Sequence, residues 1–472
     1  MAPLAAFRRV VLVGSWLGAV ACHSGAKPAA PPLPAAPAAI ALRVSYDEAR
    51  AEAHVEASYP AGTRGVVAVD SGCESFVTGA RASSSGAPLS DAERGDDGTL
   101  HVDCARGCRI DYVVALGAAA RAKASIDTAR SFGPIVVAPP STWALLPVDA
   151  PDSEPVDLDV RTCAGTRFVS GLGASSDGLR RTTVRGVRRG PYSSFGPFDV
   201  LELREGGGSL LEVALPRGRR RPGDLAISRW VTASARAVRE GLGVFPAPHA
   251  AIIVIVVPGD DVHVGFSMGG SSILAVVGED TSEERLARDW VLTHELLHFV
   301  LPSQPEARDW AEEGLATYVE PLVRARAGLV SREEAWAGLV RGFPNGQPAA
   351  GDRGLDRTRT WGRVYWGGAL FFFEADYAIR AATNGIKTLL SALGAMVRAG
   401  FVNGSPASLE AAFAEGDREV GASVLVPMLA RYGVTPEAFP YERHLEELGV
   451  RPSGERVSLD ATASRAAWLG AF

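Results

Sequence analysis

The amino-acid sequence predicts an α+β chain built in several parts. Short apolar runs broken by turn residues fill residues 42–224, and helix-spaced apolar residues fill most of 225–450. Length points the same way, since 472 residues exceed one ordinary core and imply two or three domains. In the first part the strand-like segments include 43–46, 65–69 and 210–213, separated by clusters of Gly, Ser, Asp and Pro. No chemical motif falls there, so this part reads as scaffold or as a wall that positions substrate. The pattern changes at Leu225. Ile227, Trp230, Val231, Ala235 and Val238 recur at helical spacing, and Gly241 with Gly243 ends the run. Residues 251–257 are continuously apolar and read as a buried strand, and 263–277 as a further extended segment with a Gly-rich stretch. A long helix is expected over 283–301, stopped by Pro302, and a second from about 306 to 323. Further helices are expected at 332–339, 368–382, 386–398, 408–414, 423–432 and 441–448.

Composition narrows the class. Apolar residues make up 47% and charged residues 22%, as in ordinary globular proteins, and the net charge is -6. That balance gives no reason to expect nucleic acid or an anionic membrane surface as a partner. The basic run 217–221 reads as a solvated loop. Nothing in the sequence points to a particular oligomeric state.

The N-terminus carries an address. Arg8 and Arg9 precede an apolar stretch at 10–20, and small residues lead into Cys22. This is the layout of a secretory signal, too short to span a membrane comfortably. A Cys directly after small residues resembles a bacterial lipobox, so Cys22 is expected to be lipidated and the protein to be exported and held at the cell envelope by that anchor alone. His23, not Asp, follows the Cys, which leans toward the outer membrane by resemblance to the enterobacterial sorting rule. Residues 23–41 are mostly Ala and Pro and read as a spacer. The other cysteines are Cys73, Cys104, Cys108 and Cys163. In an exported chain an even set suggests two disulfides, with the pairing open. Oxidation is favoured over a Cys104/Cys108 metal pair, because no partner pair stands at zinc-finger spacing.

The chemistry lies in the second part. His294-Glu295-Leu296-Leu297-His298 fits H-E-x-x-H on a helix. Residues four apart share a face, so both imidazoles reach one ion, and neutral imidazole suits zinc. Glu295, one step round, is placed to take a proton from a water at the ion. Val291, Leu292, Leu296, Leu297, Phe299 and Val300 make this turn apolar nearly all round. A helix buried this way makes two His and a Glu costly without a strong partner, and a metal supplies one. Trp310-Ala311-Glu312-Glu313-Gly314 opens the next helix, where a Glu can drop onto the same ion and complete a His₂Glu set with a fourth position open.

These residues resemble the gluzincin zinc metallopeptidases, whose second signature is W-x-x-E-G. The resemblance makes Glu313, immediately before the Gly, the third ligand of a single Zn2+. Glu320, two turns on, reads equally as an acid that orients a ligand or as a surface Glu. Tyr365-Trp366-Gly367-Gly368 resembles the Y-x-x-G helix start of the glycyl aminopeptidase family, whose Tyr donates to the tetrahedral oxyanion. Asp376-Tyr377-Ala378-Ile379-Arg380, Thr383-Asn384-Gly385 and the stretch 439–450 are similar to that family too. The similarity spans about 225–450 and implies a thermolysin-like catalytic domain. Two departures stand out. The Gly-rich edge-strand stretch 264–271, with Gly265, Met268, Gly269 and Gly270 as expected substrate-binding positions, lacks the acid with which such aminopeptidases grip a substrate ammonium. The edge strand is therefore expected to bind extended backbone instead. Only 22 residues follow Val450, too few for the PDZ domain that many members add.

The expected organisation is a lipoprotein signal peptide at 1–22, a linker at 23–41, a β-rich N-terminal domain at 42–224, a thermolysin-like zinc catalytic domain at 225–325, a helical domain at 326–450 and a tail at 451–472. The function expected is that of a zinc metallopeptidase acting on a peptide or protein. The alternatives are a hydrolase of the same fold with a non-peptide substrate, and a binding lipoprotein that keeps its zinc without catalysis.

Overall fold

In a computed structural model, the structure describes residues 38–84, 87–175 and 177–471. The signal, Cys22 and most of the linker lie outside the described residues. Among those described, no helix is long and apolar enough to cross a membrane.

The β-rich part is built on a seven-stranded sheet. Ile40–Asp47 pairs antiparallel with Glu52–Tyr59 and parallel with Pro155–Thr162. Its buried residues alternate, Ile40, Leu42, Val44 and Tyr46, because successive side chains leave opposite faces of a strand. That face closes over a core that holds Trp143 and Phe195, with Tyr46 stacked on Phe195 at 4.3 Å. A smaller four-stranded sheet contains Arg130–Phe132, Ile135–Val137, Arg167–Ser170 and Ser193–Gly196.

The second sheet has five strands, in the order Phe198–Arg204, Leu210–Pro216, His249–Val257, Ser272–Gly278, Val262–Ser267. Its two central pairings are parallel and its two outer ones antiparallel. Ala250 to Ile255 are all buried, which explains the unbroken apolar run of that strand. Ile252 and Val254 face the helices, while Ile253 and Ile255 face a cluster with Ile135, Val137, Val169 and Phe198 from the first part. The sheet is thus a middle layer between helices and the smaller β-sheet.

Several boundaries differ from the sequence reading. The segment 263–277 is not one strand but a hairpin, turned by Gly269 and Gly270, both at positive φ. Residues 198–216, grouped with the N-terminal part, pair into the second sheet. The long helix over 283–301 is two helices, Glu283–Arg288 and Val291–Leu297. Between them Asp289 turns inward and accepts from the backbone N–H groups of Val291 (3.1 Å) and Leu292 (3.0 Å) and from the Trp230 indole (2.9 Å), which caps the second helix. The tail forms a hairpin of Val450–Ser453 with Arg456–Leu459, and buried Arg380 then donates to the Trp468 carbonyl at 2.9 Å.

Two disulfides were expected, and the structure has one among the described residues. Cys104 and Cys108 are bonded across the turn between two consecutive strands, Leu100–Cys104 and Cys108–Val114, which belong to different sheets. Cys73 is packed in the core, and Cys163 is exposed just after the strand Pro155–Thr162, so those two do not meet.

Candidate active site

Three elements converge on one point: the helix Val291–Leu297, the helix Asp309–Arg326, and the turn Gly362–Gly367 that leads into the helix Gly368–Ala382. The first carries His294 and Glu295, with His298 at its C-cap, and all three are buried at 8% exposure. Ligand-type atoms of these three residues lie within 4.8 Å of one another. From the second helix, Glu313 Oε2 stands 3.2 Å from His294 Nε2 and 3.7 Å from His298 Nε2. Ligands held about 2.0–2.2 Å from one tetrahedral ion sit about 3.3–3.6 Å apart, so two imidazole nitrogens and a carboxylate oxygen at these separations fit zinc. Glu295, on the same helix as the histidines, faces the edge strand: a Cβ on Gly265 would meet its Cγ at 2.4 Å. Only a glycine there lets the strand backbone lie against the Glu295 side chain.

The chain shares this fold with solved zinc metallopeptidases. An aminopeptidase N family protein from Idiomarina loihiensis is 13% identical with a TM-score of 0.65, over 87% of this chain and 78% of that one. An M1 zinc metallopeptidase from Deinococcus radiodurans is 15% identical with a TM-score of 0.52, over 85% of this chain and 93% of that one. A mutant of an M1 zinc metallopeptidase from the same organism, bound to a Tyr-Ser-Ala substrate, matches with the same identity and TM-score. No protein-family model matches this chain, and no curated protein matches it in sequence. The likeness supports the α+β architecture, with its β-rich N-terminal and helical C-terminal regions.

Two glycines explain why the Glu313 and Tyr365 motifs meet. A Cβ on Gly314 would come within 2.2 Å of the Gly368 Cα. The helices therefore cross backbone to backbone at the residue after Glu313 and three residues past Tyr365. Tyr365 lines the same cavity as Glu313, close enough for the carboxylate to act on its phenol. The turn that presents it is a π-helical stretch, held by the buried ion pair of Arg363 with Asp352 at 2.7 Å.

Electrostatics follow from burial and from these contacts. Burial would depress both imidazoles; it prevails at His298, whose pKa falls, while Glu313 and Glu295 outweigh it at His294 and raise that one. Burial would raise Glu313, but the two histidines and Tyr365 bring it down. Burial and the charges of Glu313 and Glu295 push the Tyr365 phenol up to about 12, so it stays a hydrogen-bond donor. Burial pushes Glu312 up to about 7; its Oε1 accepts from the Gln304 backbone N–H at 2.5 Å, away from the imidazoles.

Glu320 is not on the surface. It is 8% exposed, pairs with Arg324 at 2.8 Å and adds its charge to the field on His294. Arg324 in turn donates to the Arg288 carbonyl at 2.7 Å.

These residues open into a cavity of about 830 Å³. The edge strand supplies His263, Val264, Gly265, Phe266 and Ser267 as one wall. Met268, Gly269 and Gly270, expected to bind substrate, do not line it. Their turn is docked on the N-terminal part instead, where a Cβ on Gly269 would lie 1.9 Å from the Arg189 carbonyl oxygen. Lining residues that the sequence reading missed include Tyr192, Trp290, Trp361 and Trp366. Trp290 and Trp361 are more than half exposed, and the signal in the sequence was their place four residues before His294 and Tyr365.

Proposed function

We propose that this chain is a zinc-dependent peptidase of the gluzincin type, with a thermolysin-like catalytic region and a closer kinship to glycyl aminopeptidases. The observation that carries this is the meeting of His294, His298 and Glu313 around one point, beside an edge strand open to a cavity. His294, His298 and Glu313 would hold one zinc ion. Bound there, zinc supplies Lewis-acid chemistry that makes water a nucleophile near neutral pH. Glu295 takes the proton of the attacking water and passes it to the departing amine nitrogen. Tyr365, protonated throughout the working range, donates a hydrogen bond to the oxygen that gains charge at the attacked carbonyl. Glu320 steadies His294 through its charge, with its own position held by Arg324. Val262–Ser267, an edge strand, has free backbone groups for an extended peptide.

The substrate ammonium has no acid waiting for it on this strand. The space at Gly269 is filled by the Arg189 carbonyl, so no side chain fits there. N-terminally blocked peptides are therefore expected to be cut at least as well as free ones. The test is zinc content together with a paired assay of acetylated and free peptides. About one zinc per wild-type chain, and loss of zinc in His294→Ala and His298→Ala, is expected. Unchanged metal in both variants sinks the ligand set. Strict preference for free N-termini would make Glu312, a cavity-lining carboxylate, the amine anchor. Bound zinc with no peptide hydrolysis would favour a non-peptide substrate or a binding role. The proposal includes a lipid anchor at Cys22, which Cys22→Ser should abolish by releasing the protein from membranes.

A further inference from the structure

The two histidines of the ligand set are not held alike. His294 lies inside the helix Val291–Leu297 and donates its backbone N–H to the Trp290 carbonyl at 3.0 Å. His298 is the C-cap, just past the regular helix. Its N–H reaches the Glu295 carbonyl, three residues back, at 3.3 Å, and the Phe299 N–H reaches the Leu296 carbonyl at 3.3 Å. The last carbonyls of a helix also lack partners within it, and helix ends fray. One residue from far along the chain supplies what is missing. Asn403 lies in the loop between the helices Leu389–Arg398 and Leu409–Val420. Its Nδ2 donates to the His298 carbonyl at 3.1 Å, and its backbone N–H donates to the Phe299 carbonyl at 3.1 Å. Ser303 orients the amide: its hydroxyl donates to Asn403 Oδ1 at 2.8 Å and accepts from the Gly404 N–H at 3.4 Å. The N-terminal part holds the loop from its other side. Arg185 donates to the Gly404 and Ser405 carbonyls, both at 3.3 Å, and pairs with Asp152 at 3.0 Å.

We propose that Asn403 is a positioning residue for His298, and that Arg185 of the N-terminal part holds the loop in which it sits. The proposal rests on the ligand set above. Zinc takes its ligands at about 2.0–2.2 Å, so a small displacement of the imidazole weakens binding. Partners that orient a ligand are worth about 10- to 100-fold in metal affinity. Such partners commonly act on the second ring nitrogen; here the contact acts on the backbone that bears the ring. Asn suits the task because its amide offers an acceptor and a donor side by side, one for Ser303 and one for His298. Asp has the same shape without the donor. Its carboxylate would set an oxygen against the His298 carbonyl and leave that carbonyl unsatisfied. Neither metal motif signals the contact, since 105 positions separate the two residues.

The test is the zinc Kd of the folded protein, titrated against a chelator of known affinity, with thermal midpoints of metal-free protein measured alongside. Asn403→Asp and Asn403→Ala should each raise the Kd by about 10- to 100-fold. Arg185→Ala should raise it by a smaller factor, and it decides alone if neither Asn403 variant folds. Cobalt-loaded Asn403→Asp should show shifted visible bands, because these follow ligand geometry. Thr388→Ala is the control for a merely structural role. It removes the capping box of the helix that precedes the loop. It should lower the midpoint by about 1–2 °C and leave the Kd unchanged. A Kd that rises in Thr388→Ala as it does in the Asn403 variants would trace the effect to general stability and overturn the proposal. A Kd like that of wild type in both Asn403 variants overturns it too, while leaving the ligand set intact. If His294→Ala binds zinc as wild type does, the ligand set itself fails, and the proposal with it.

Discussion

Two adjacent glutamates, Glu312 and Glu313, begin the same helix and play different parts because their surroundings differ. Glu313 faces two imidazoles, which draw its pKa down, whereas Glu312 is buried against a backbone N–H with its pKa near 7. The sign of the Glu312 effect is definite. Its folded pKa lies above the unfolded one, so between about pH 4.5 and 7 the folded state holds more protons and stability falls as pH rises. The group costs about 3 kcal/mol above pH 7 and nothing below pH 4.5. Glu312→Gln should therefore stabilise chelator-treated protein at pH 8 and leave it unchanged at pH 4, read as thermal midpoints across pH. The same variant should retain zinc on reconstitution, whereas Glu313→Gln should not; equal zinc loss would mean the ligand is misassigned. Catalysis divides in the same way. Glu295→Gln should keep zinc and lose turnover, since an amide takes no proton. Tyr365→Phe should lower kcat by about 10²–10³ with KM nearly constant, the result of removing one oxyanion donor. A change in KM alone would place Tyr365 in binding.

At the level of elements, the site is made where helices touch through glycine. Gly314 and Gly368 let Asp309–Arg326 and Gly368–Ala382 cross backbone to backbone, and this holds Glu313 within reach of Tyr365. A methyl group at Gly314 would need the space of the Gly368 backbone. Gly314→Ala should force the helices apart, with a stability loss of about 1–3 kcal/mol for an overpacked contact and a fall in kcat close to that of Tyr365→Phe. Combined with Tyr365→Phe it should cost little further kcat, because the hydroxyl it displaces is already gone. Additive losses would show that Gly314 acts on another part of the site. The spacing of both motifs is legible in the sequence. Its cause is not, because the two glycines lie 54 positions apart and only packing brings them together.

On the scale of the whole molecule, the edge strand, three helices, the turn Gly362–Gly367 and Tyr192 of the N-terminal part line one cavity, and zinc would tie two of the helices together. Chelation should lower the thermal midpoint by several degrees, since an ion that binds only the folded state stabilises it by about 4 kcal/mol at a thousandfold excess over its Kd. His294→Ala should start at the lower midpoint and show no further drop with chelator; an equal drop in both would place the metal elsewhere. The sequence by itself determined what is local. The H-E-x-x-H helix is legible because residues four apart must share a face, and the strand over 251–257 because a doubly buried strand must be apolar throughout. Tyr365 and Glu313 were singled out through the resemblance of their short motifs to those of known families. Tertiary structure decided whatever depends on partners distant in the chain. It moved 198–216 into the second sheet, since pairing is settled between strands. It buried Glu320 beside His294, and it set Gly269 against Arg189, so that Met268–Gly270 became a docking turn and not a cavity wall. It also brought Asn403 to the carbonyl of His298. Periodicity places a residue on a face of its own helix, but only the neighbouring elements decide whether that face meets protein, solvent or an empty pocket.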